Sequence, residues 1–404
     1  MRIRGAAPAE DARAPLNLAL VLDRSGSMAG EKLAAAKAAA TQLARRVRER
    51  DVISVVIYDD SVDTVVDAAP VTDRDALLAG IAAIEAGGST NLSGGWLRGR
   101  DLVARGYRQG AVNRVLLLTD GLANHGITDP DQLKALCGTA AAVGVTTTTI
   151  GFGEGFDEVL LRGMADVGRG GTYYVEESDQ ALDVFAAEID GLLTLAAQNV
   201  AVQVLPAPGA DLAVVHHAYP RRQIAGGVRL EIGDLFAGEP RALLAQFLLP
   251  LPATDATTAV AELVVEAHVL GAGGSVERRE VRLPITVTGT DAPRVEPEVR
   301  RELLLLESAR ARDEARELER QGEFDAAGER LGDVARKLTA EAGDDARLRE
   351  EAADLGALAQ CYAAGDVREA DRKYMYMRST ATWQSRHGAA DPISRSKLRR
   401  RPTS

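Results

Sequence analysis

Residues 17–27 read Asn17-Leu18-Ala19-Leu20-Val21-Leu22-Asp23-Arg24-Ser25-Gly26-Ser27, and the fold is decided there. A near-continuous apolar run that ends on an aspartate fits a strand buried on both faces, as parallel sheets require. Working outward, Glu31–Arg50 is Ala-rich, with Leu33, Ala36, Ala40, Leu43 and Val47 at helical spacing. Val52–Tyr58 is a second apolar strand, and a tight Asp59-Asp60 turn leads into Val62–Ala68. So short a connection makes that pair antiparallel and puts Val62–Ala68 at a sheet edge. The alternation continues. Helices are expected over Asp75–Ile84, Leu97–Arg105, Pro130–Val143, Asp157–Val167 and Asp179–Ala197, and strands over Arg114–Thr119, Thr146–Ile150 and Thr172–Val175. Strands alternating with helices predict a mostly parallel sheet wound with helices on both faces, an α/β domain over residues 16–197.

The grammar changes after Ala197. From Val200 to Thr288 the chain reads as β-strands separated by Pro and Gly turns, without helical periodicity, which predicts a β-sandwich within residues 198–292. Residues 1–15 hold one candidate extra strand for it, Met1–Ala6. A Pro-rich linker, Pro293-Arg294-Val295-Glu296-Pro297, opens a C-terminal α-helical region, 293–388, with helices expected at Val299–Gln321, Asp325–Thr339, Asp345–Ala364 and Val367–His387. Its helix–Gly–helix phrasing suggests helical hairpins like those of tetratricopeptide repeats, but two units are too few for an array. Most of the apolar positions Leu303, Leu306, Leu331, Val334, Leu338, Leu355 and Leu358 are expected to be core or to pack on the sandwich, rather than to line a partner groove. Residues 389–404, with Arg395, Lys397, Arg399, Arg400 and Arg401, read as a disordered basic tail.

Composition narrows the function. The 404 residues are 46% hydrophobic but only 4% aromatic, so the core is built on Ala, Val and Leu. A net charge of −11 argues against broad nucleic-acid binding, which needs Lys and Arg on phosphates. Cys137 and Cys361 lie far apart in helical stretches, which gives neither a disulfide framework nor a cysteine zinc site. The N-terminus has no apolar core of a signal peptide, and no apolar run reaches membrane-spanning length. The expectation is a cytoplasmic protein that contacts neither membrane nor nucleic acid.

Three short pieces carry the chemistry. The first strand ends in Asp23-x-Ser25-x-Ser27; Gly87-Gly88-Ser89-Thr90-Asn91 forms a loop before a helix; and Thr119-Asp120-Gly121 ends another strand. Alone, the Asp-x-Ser-x-Ser triplet is also what a Ser/Gly turn capping a helix looks like. In an open parallel sheet, however, the crevice lies outside the carboxyl ends of the strands, where all three pieces fall. In these pieces the sequence resembles the von Willebrand factor A (VWA) family and its metal-ion-dependent adhesion site (MIDAS). The resemblance covers residues 16 to about 197, and the family's five ligand positions fall on Asp23, Ser25, Ser27, Thr90 and Asp120. It implies a doubly wound, Rossmann-like sheet of six strands with one antiparallel edge and a magnesium ion at its top. The β-sandwich and helical tail look similar to bacterial VWA proteins in which a sandwich packs on the A domain.

The donor chemistry points the same way. Five oxygen-bearing side chains select a hard cation, Mg2+ or else Mn2+ or Ca2+, and disfavour zinc. Two carboxylates neutralise a divalent ion, hydroxyls add no charge, and a partner's Asp or Glu is a natural further ligand. The expected function is therefore metal-dependent protein binding by a scaffold or adaptor, with no catalytic residues. From the resemblance, the partner would be an AAA+ ATPase or a phosphatase/kinase system. The alternative is a regulatory subunit of an AAA+ ATPase or chelatase-type machine, with a metal-dependent hydrolase behind both. Other polar features have blander readings. His125 is read as a solvated loop residue, though it could flank the metal, and His216 and His217 as structural. Gly151-Phe152-Gly153-Glu154-Gly155 reads as a turn rather than a dinucleotide loop, and Asp59, Asp60 and Asp63 as an exposed hairpin.

Overall fold

The computed structural model describes residues 1–6, 13–153, 155–175, 181–250, 252–270, 276–290 and 295–385. The basic tail, Pro293 and Arg294 of the linker, and Glu154 lie outside the described residues. Among the described residues, no helix is long and apolar enough to cross a membrane.

A short strand β1 (Arg2–Arg4) precedes the α/β domain. That domain runs β2 (Leu16–Asp23), α1 (Glu31–Arg46), β3 (Val52–Tyr58), β4 (Val62–Pro70), α2 (Arg74–Ala82), α3 (Leu92–Arg105), β5 (Val112–Thr119), α4 (Pro130–Ala142), β6 (Thr146–Phe152), α5 (Glu158–Val167), β7 (Arg169–Val175) and α6 (Ala181–Leu193). Its six strands lie in the order β4-β3-β2-β5-β6-β7, all parallel except the antiparallel edge strand β4. Alternate residues of β2 feed two cores, because successive side chains leave a strand on opposite faces. Leu18, Leu20 and Leu22 meet the Ala-rich face of α1, along with α2 and α6. Ala19 and Val21 meet α3, α4 and α5.

Two residues after α6 the chain enters a β-unit: β8 (Leu195–Pro206), β9 (Asp211–Val215), β10 (Arg221–Ile224), β11 (Gly227–Phe236), β12 (Pro240–Ala242), β13 (Ala245–Leu248), β14 (Thr257–Leu270) and β15 (Val276–Thr288). Five strands form one sheet, β10-β11-β8-β14-β15, and the ribbons β13-β9 and β1-β12 complete the unit. Val200, Val202, Val204, Leu230 and Ile232 of the sheet pack with Leu243 and, from the ribbons, Ile3, Leu212 and Phe247. Strand β1 pairs Arg2, Ile3 and Arg4 with Ala242, Arg241 and Pro240. Four helices follow: α7 (Pro297–Arg320), α8 (Phe324–Glu341), α9 (Ala346–Ala363) and α10 (Glu369–Trp383).

The structure departs from the sequence expectations at several points. Helix α3 begins at Leu92, not Leu97, because Asn91 caps it by accepting from the Gly94 N–H at 3.0 Å. Helix α6 stops at Leu193 and β8 begins at Leu195, so the expected boundary at 197 falls inside a strand. Leu303 is 40% exposed, because the adjacent Leu304, Leu305 and Leu306 take the core-facing arc of α7. The other six expected core positions of the helical region are buried.

The three parts lock together through α10 and the residues after it. Lys373, buried, donates to the Phe156 carbonyl at 2.5 Å and to Glu158 at 3.1 Å. The Gln384 amide donates to Asp166 at 2.7 Å, also in the α/β domain. On the β-unit side, the Ala218 N–H donates to the Trp383 carbonyl at 3.0 Å, and Glu302 of α7 pairs with buried His217 at 3.1 Å. His216 and His217 follow β9 rather than lying within it.

Candidate metal centre

Strand β2 delivers Asp23 at its carboxyl end, where the chain turns and leaves the Ser25 and Ser27 side chains above the sheet. Asp23 is fully buried. Its Oδ1 accepts from the Ser25 N–H at 2.8 Å and its Oδ2 from the Thr119 hydroxyl at 2.7 Å. Burial raises the pKa of Asp23; hydrogen bonds from Ser25 and Thr119 oppose that, and the nearby Asp120 carboxylate adds to it. Strand β5 delivers Asp120, next to β2 in the sheet. The Ser27 hydroxyl donates to Asp120 Oδ1 at 2.6 Å and lies 3.2 Å from the Ser25 hydroxyl. The Lys32 ammonium, from the first turn of α1, donates to Asp120 Oδ2 at 2.5 Å.

The loop before α3 brings Thr90. A Cβ placed on Gly121 would lie 3.3 Å from the Thr90 hydroxyl oxygen, so Thr90 sits against the turn that follows Asp120. Its carbonyl accepts from the Asn124 and His125 N–H groups at 3.3 and 3.2 Å, which joins that turn to the loop. The loop is fixed to the β2 end as well. The Gly26 N–H donates to the Gly88 carbonyl at 2.8 Å and the Gly87 N–H to the Arg24 carbonyl at 2.6 Å. Asp59 is the hub: it accepts from the Gly88 N–H at 3.2 Å and from Ser61, and it pairs with Arg24 at 3.0 Å. Asp59 is buried, which corrects its reading as part of an exposed hairpin; Asp60 and Asp63 are exposed. Beneath the cluster, the buried Tyr58 hydroxyl donates to the Leu118 carbonyl at 3.1 Å. His125 is exposed on the loop side.

Asp23, Ser25, Ser27, Thr90 and Asp120 are thus gathered over the carboxyl ends of β2 and β5. The donor set suits a hard divalent ion. Every side chain offers oxygen, and Asp23 has only uncharged hydrogen-bond donors around it. The other carboxylate already holds a cation, the Lys32 ammonium, where positive charge would be bound. Residues the motif did not signal also belong to this construction: Thr119 and Tyr58 under Asp23, Asp59 and Arg24 under the loop, and Lys32 on Asp120. Thr119 and Arg24 stand inside the quoted pieces without being ligand positions, and Lys32 lies five residues after Ser27, so their part in the construction was not visible.

An open, doubly wound sheet with carboxylates and hydroxyls gathered at its carboxyl edge defines an A-type α/β domain. The family model for the von Willebrand factor type A domain matches residues 17–187. The sll0103 protein of Synechocystis sp. is 30% identical over 310 residues, spanning 71% of this chain and 70% of that protein. YfbK of Escherichia coli is 29% identical over 239 residues, 58% of this chain and 42% of that protein. A solved von Willebrand factor type A protein from Catenulispora acidiphila superposes with a TM-score of 0.68 at 18% identity, over 87% of this chain and 88% of that one. The last is a likeness of fold. The chain belongs to the von Willebrand factor type A family.

Proposed function

We propose that this protein binds a partner protein through a divalent ion held by Asp23, Ser25, Ser27, Thr90 and Asp120, with Mg2+ as the first choice of ion. The observation that supports the reading most is the convergence of two carboxylates and three hydroxyls, from three separate chain segments, at the open end of the sheet. When bound, a divalent ion supplies a Lewis-acidic centre that can accept a carboxylate from outside. The protein's own groups do the rest. Asp23 and Asp120 supply the balancing negative charge. The serine and threonine hydroxyls add oxygen without charge, so the centre stays electron-poor. Thr119 and the Ser25 N–H fix the Asp23 carboxylate, and Asp59 fixes the loop that carries Thr90. Leu122, 49% exposed two residues beyond Asp120, offers an apolar contact beside the centre. This is recognition chemistry, and the role it fits is a scaffold or adaptor whose partner presents an Asp or Glu.

The test is affinity capture from the native lysate with the full chain, in magnesium and in chelator, alongside the Thr90→Ala and Asp23→Ala variants. A partner retained in magnesium, released by chelator and lost from both variants is the expected result. That partner is then scanned for the acidic residue whose amide replacement abolishes capture. Capture that ignores chelator and both substitutions would sink the reading.

A further inference from the structure

At the opposite end of the A-type sheet, where β5, β6 and β7 begin, a cleft of about 380 Å3 opens between this domain and the β-unit. That volume is in the range of small-molecule sites, about 300–1,000 Å3. Its walls are mixed, with Ala141, Ala142, Val143 and Val276 beside polar side chains from both units. Arg169 opens β7, and Asn199, His268 and Arg278 come from β8, β14 and β15.

Two features set these residues apart. Arg169 and Asn199 both have left-handed backbone, with φ of +57° and +52°. Asparagine tolerates that conformation, but arginine adopts it at a cost, and retained strain of this kind gathers at ligand sites. The two side chains meet across the domain boundary. Arg169 donates to the Asn199 side-chain oxygen at 2.7 Å, and the Asn199 amide nitrogen lies 3.4 Å from His268 Nδ1. The second feature is charge. Arg169 is half-buried, and among the described residues no carboxylate pairs with it. A partly desolvated guanidinium is best satisfied by an oxyanion that accepts two of its N–H groups. Arg278 brings a second guanidinium to the cleft, with one arm 3.3 Å from Glu266. The cleft's own carboxylate, Asp234, is already paired with buried Arg114.

We propose that this interdomain cleft binds a small oxyanion-bearing molecule, a carboxylate or phosphate compound, clamped by Arg169 and Arg278 with Asn199 and His268 alongside. Such a ligand touches both units at once, so its binding strengthens their docking. The site is separate from the metal centre and does not depend on that assignment.

The full chain is titrated with inorganic phosphate and, separately, citrate, at ionic strength held constant with sodium chloride, and followed by thermal melting and calorimetry. At least one anion should give a saturable rise in melting temperature of about 2–3 °C at ten times its dissociation constant. A response to phosphate alone assigns a phosphate compound, and to citrate alone a carboxylate. Arg169→Asn keeps a residue tolerant of left-handed backbone and removes the guanidinium. It should weaken binding at least about tenfold, and Arg278→Ala should weaken it as well. Asp23→Ala should leave the anion response intact. Should Arg169→Asn fail to fold, Arg278→Ala and His268→Gln carry the test. The proposal is overturned if neither anion gives a saturable response, or if the folded variants respond as the parent does, which would mean binding by an adventitious ion only.

Discussion

At the scale of single residues, two neighbours of the candidate centre make opposite predictions. Asp23 is buried without a cationic partner among the described residues, so a divalent ion bound there would supply the charge it lacks. Magnesium or manganese should raise the melting temperature, since a ligand that binds the native site stabilises by mass action. Asp23→Ala should abolish that rise while circular dichroism stays native, because Leu18–Leu22 hold β2 without it. An undiminished metal-induced rise in the variant would remove Asp23 from the site. Lys32 works the other way. Its ammonium sits on Asp120, so it repels an incoming cation and occupies a carboxylate oxygen the ion would use. Lys32→Met should tighten magnesium binding by about three- to tenfold, a Coulombic effect moderated by solvent at a partly exposed ammonium. Calorimetric titration of the two proteins decides it, and weaker binding in the variant would make Lys32 a supporting residue instead.

At the scale of elements, the loop over residues 84–91 shows how a segment is held so that one residue, Thr90, reaches the candidate site. Asp59 gathers the Gly88 N–H, Ser61 and Arg24, and a Cβ on Gly87 would come 1.9 Å from its Oδ2. Gly87→Ala should therefore displace the loop and weaken magnesium binding, with a stability loss of about 1–3 kcal/mol. An unchanged affinity would show that Thr90's position does not depend on the loop's closure. The strand pattern of the A-type sheet was legible in the sequence because buried parallel strands are apolar runs that end abruptly. So were two of the three motif pieces, because they stand where such runs end, while residues 87–91 form a loop between α2 and α3. Other features carried misleading signals. Gly94 and Gly95 read as helix breakers, yet they lie inside α3: Gly95 leaves room for the Tyr58 ring, and Gly94 packs on the Asn91 cap. Ala196 and Ala197 suit a helix as well as the start of β8. Strands β10 and β12 are only 4 and 3 residues long, too short for alternation to register. Asp59 looked like a turn residue because nothing in a linear sequence says which loop will fold over it.

At the scale of the molecule, the helical region buries a charge network within its apolar packing, and this was not legible at all. Arginines and glutamates along helices read as a solvated face. In the structure Arg312, Glu351 and Arg378 are buried together, with Glu351 accepting from Ser308 at 2.7 Å and from Arg378 at 2.9 Å, and pairing with Arg312. Burial works against the Glu351 charge, but the two guanidiniums and Ser308 outweigh it and hold the pKa far below the usual glutamate value of 4.5. Glu302, at the contact with the β-unit, is lowered as well: burial opposes its charge and His217 and Arg347 favour it. A carboxylate with a depressed folded-state pKa adds stability that is fully present above its unfolded value and is lost as pH falls toward the folded one. The helical region and its junction with the β-unit should therefore loosen below about pH 4.5, ahead of the A-type sheet. The chain reports this itself, since it has two tryptophans. Trp96 is buried against the sheet, and Trp383, at the end of α10, donates to Asp313 at 2.7 Å beside the β-unit contact. In single-tryptophan variants, Trp96→Phe and Trp383→Phe, the Trp383 emission should shift at a higher pH than that of Trp96. Glu351→Gln removes the carboxylate that Arg312 and Arg378 share, leaving Arg312 with Asp354 at 2.5 Å, and should destabilise the region by about 2–3 kcal/mol, so that Trp383 reports a loosened environment already at neutral pH. If Trp96 responds first, or the two move together in the parent protein, then the charge network does not set the order in which the molecule comes apart.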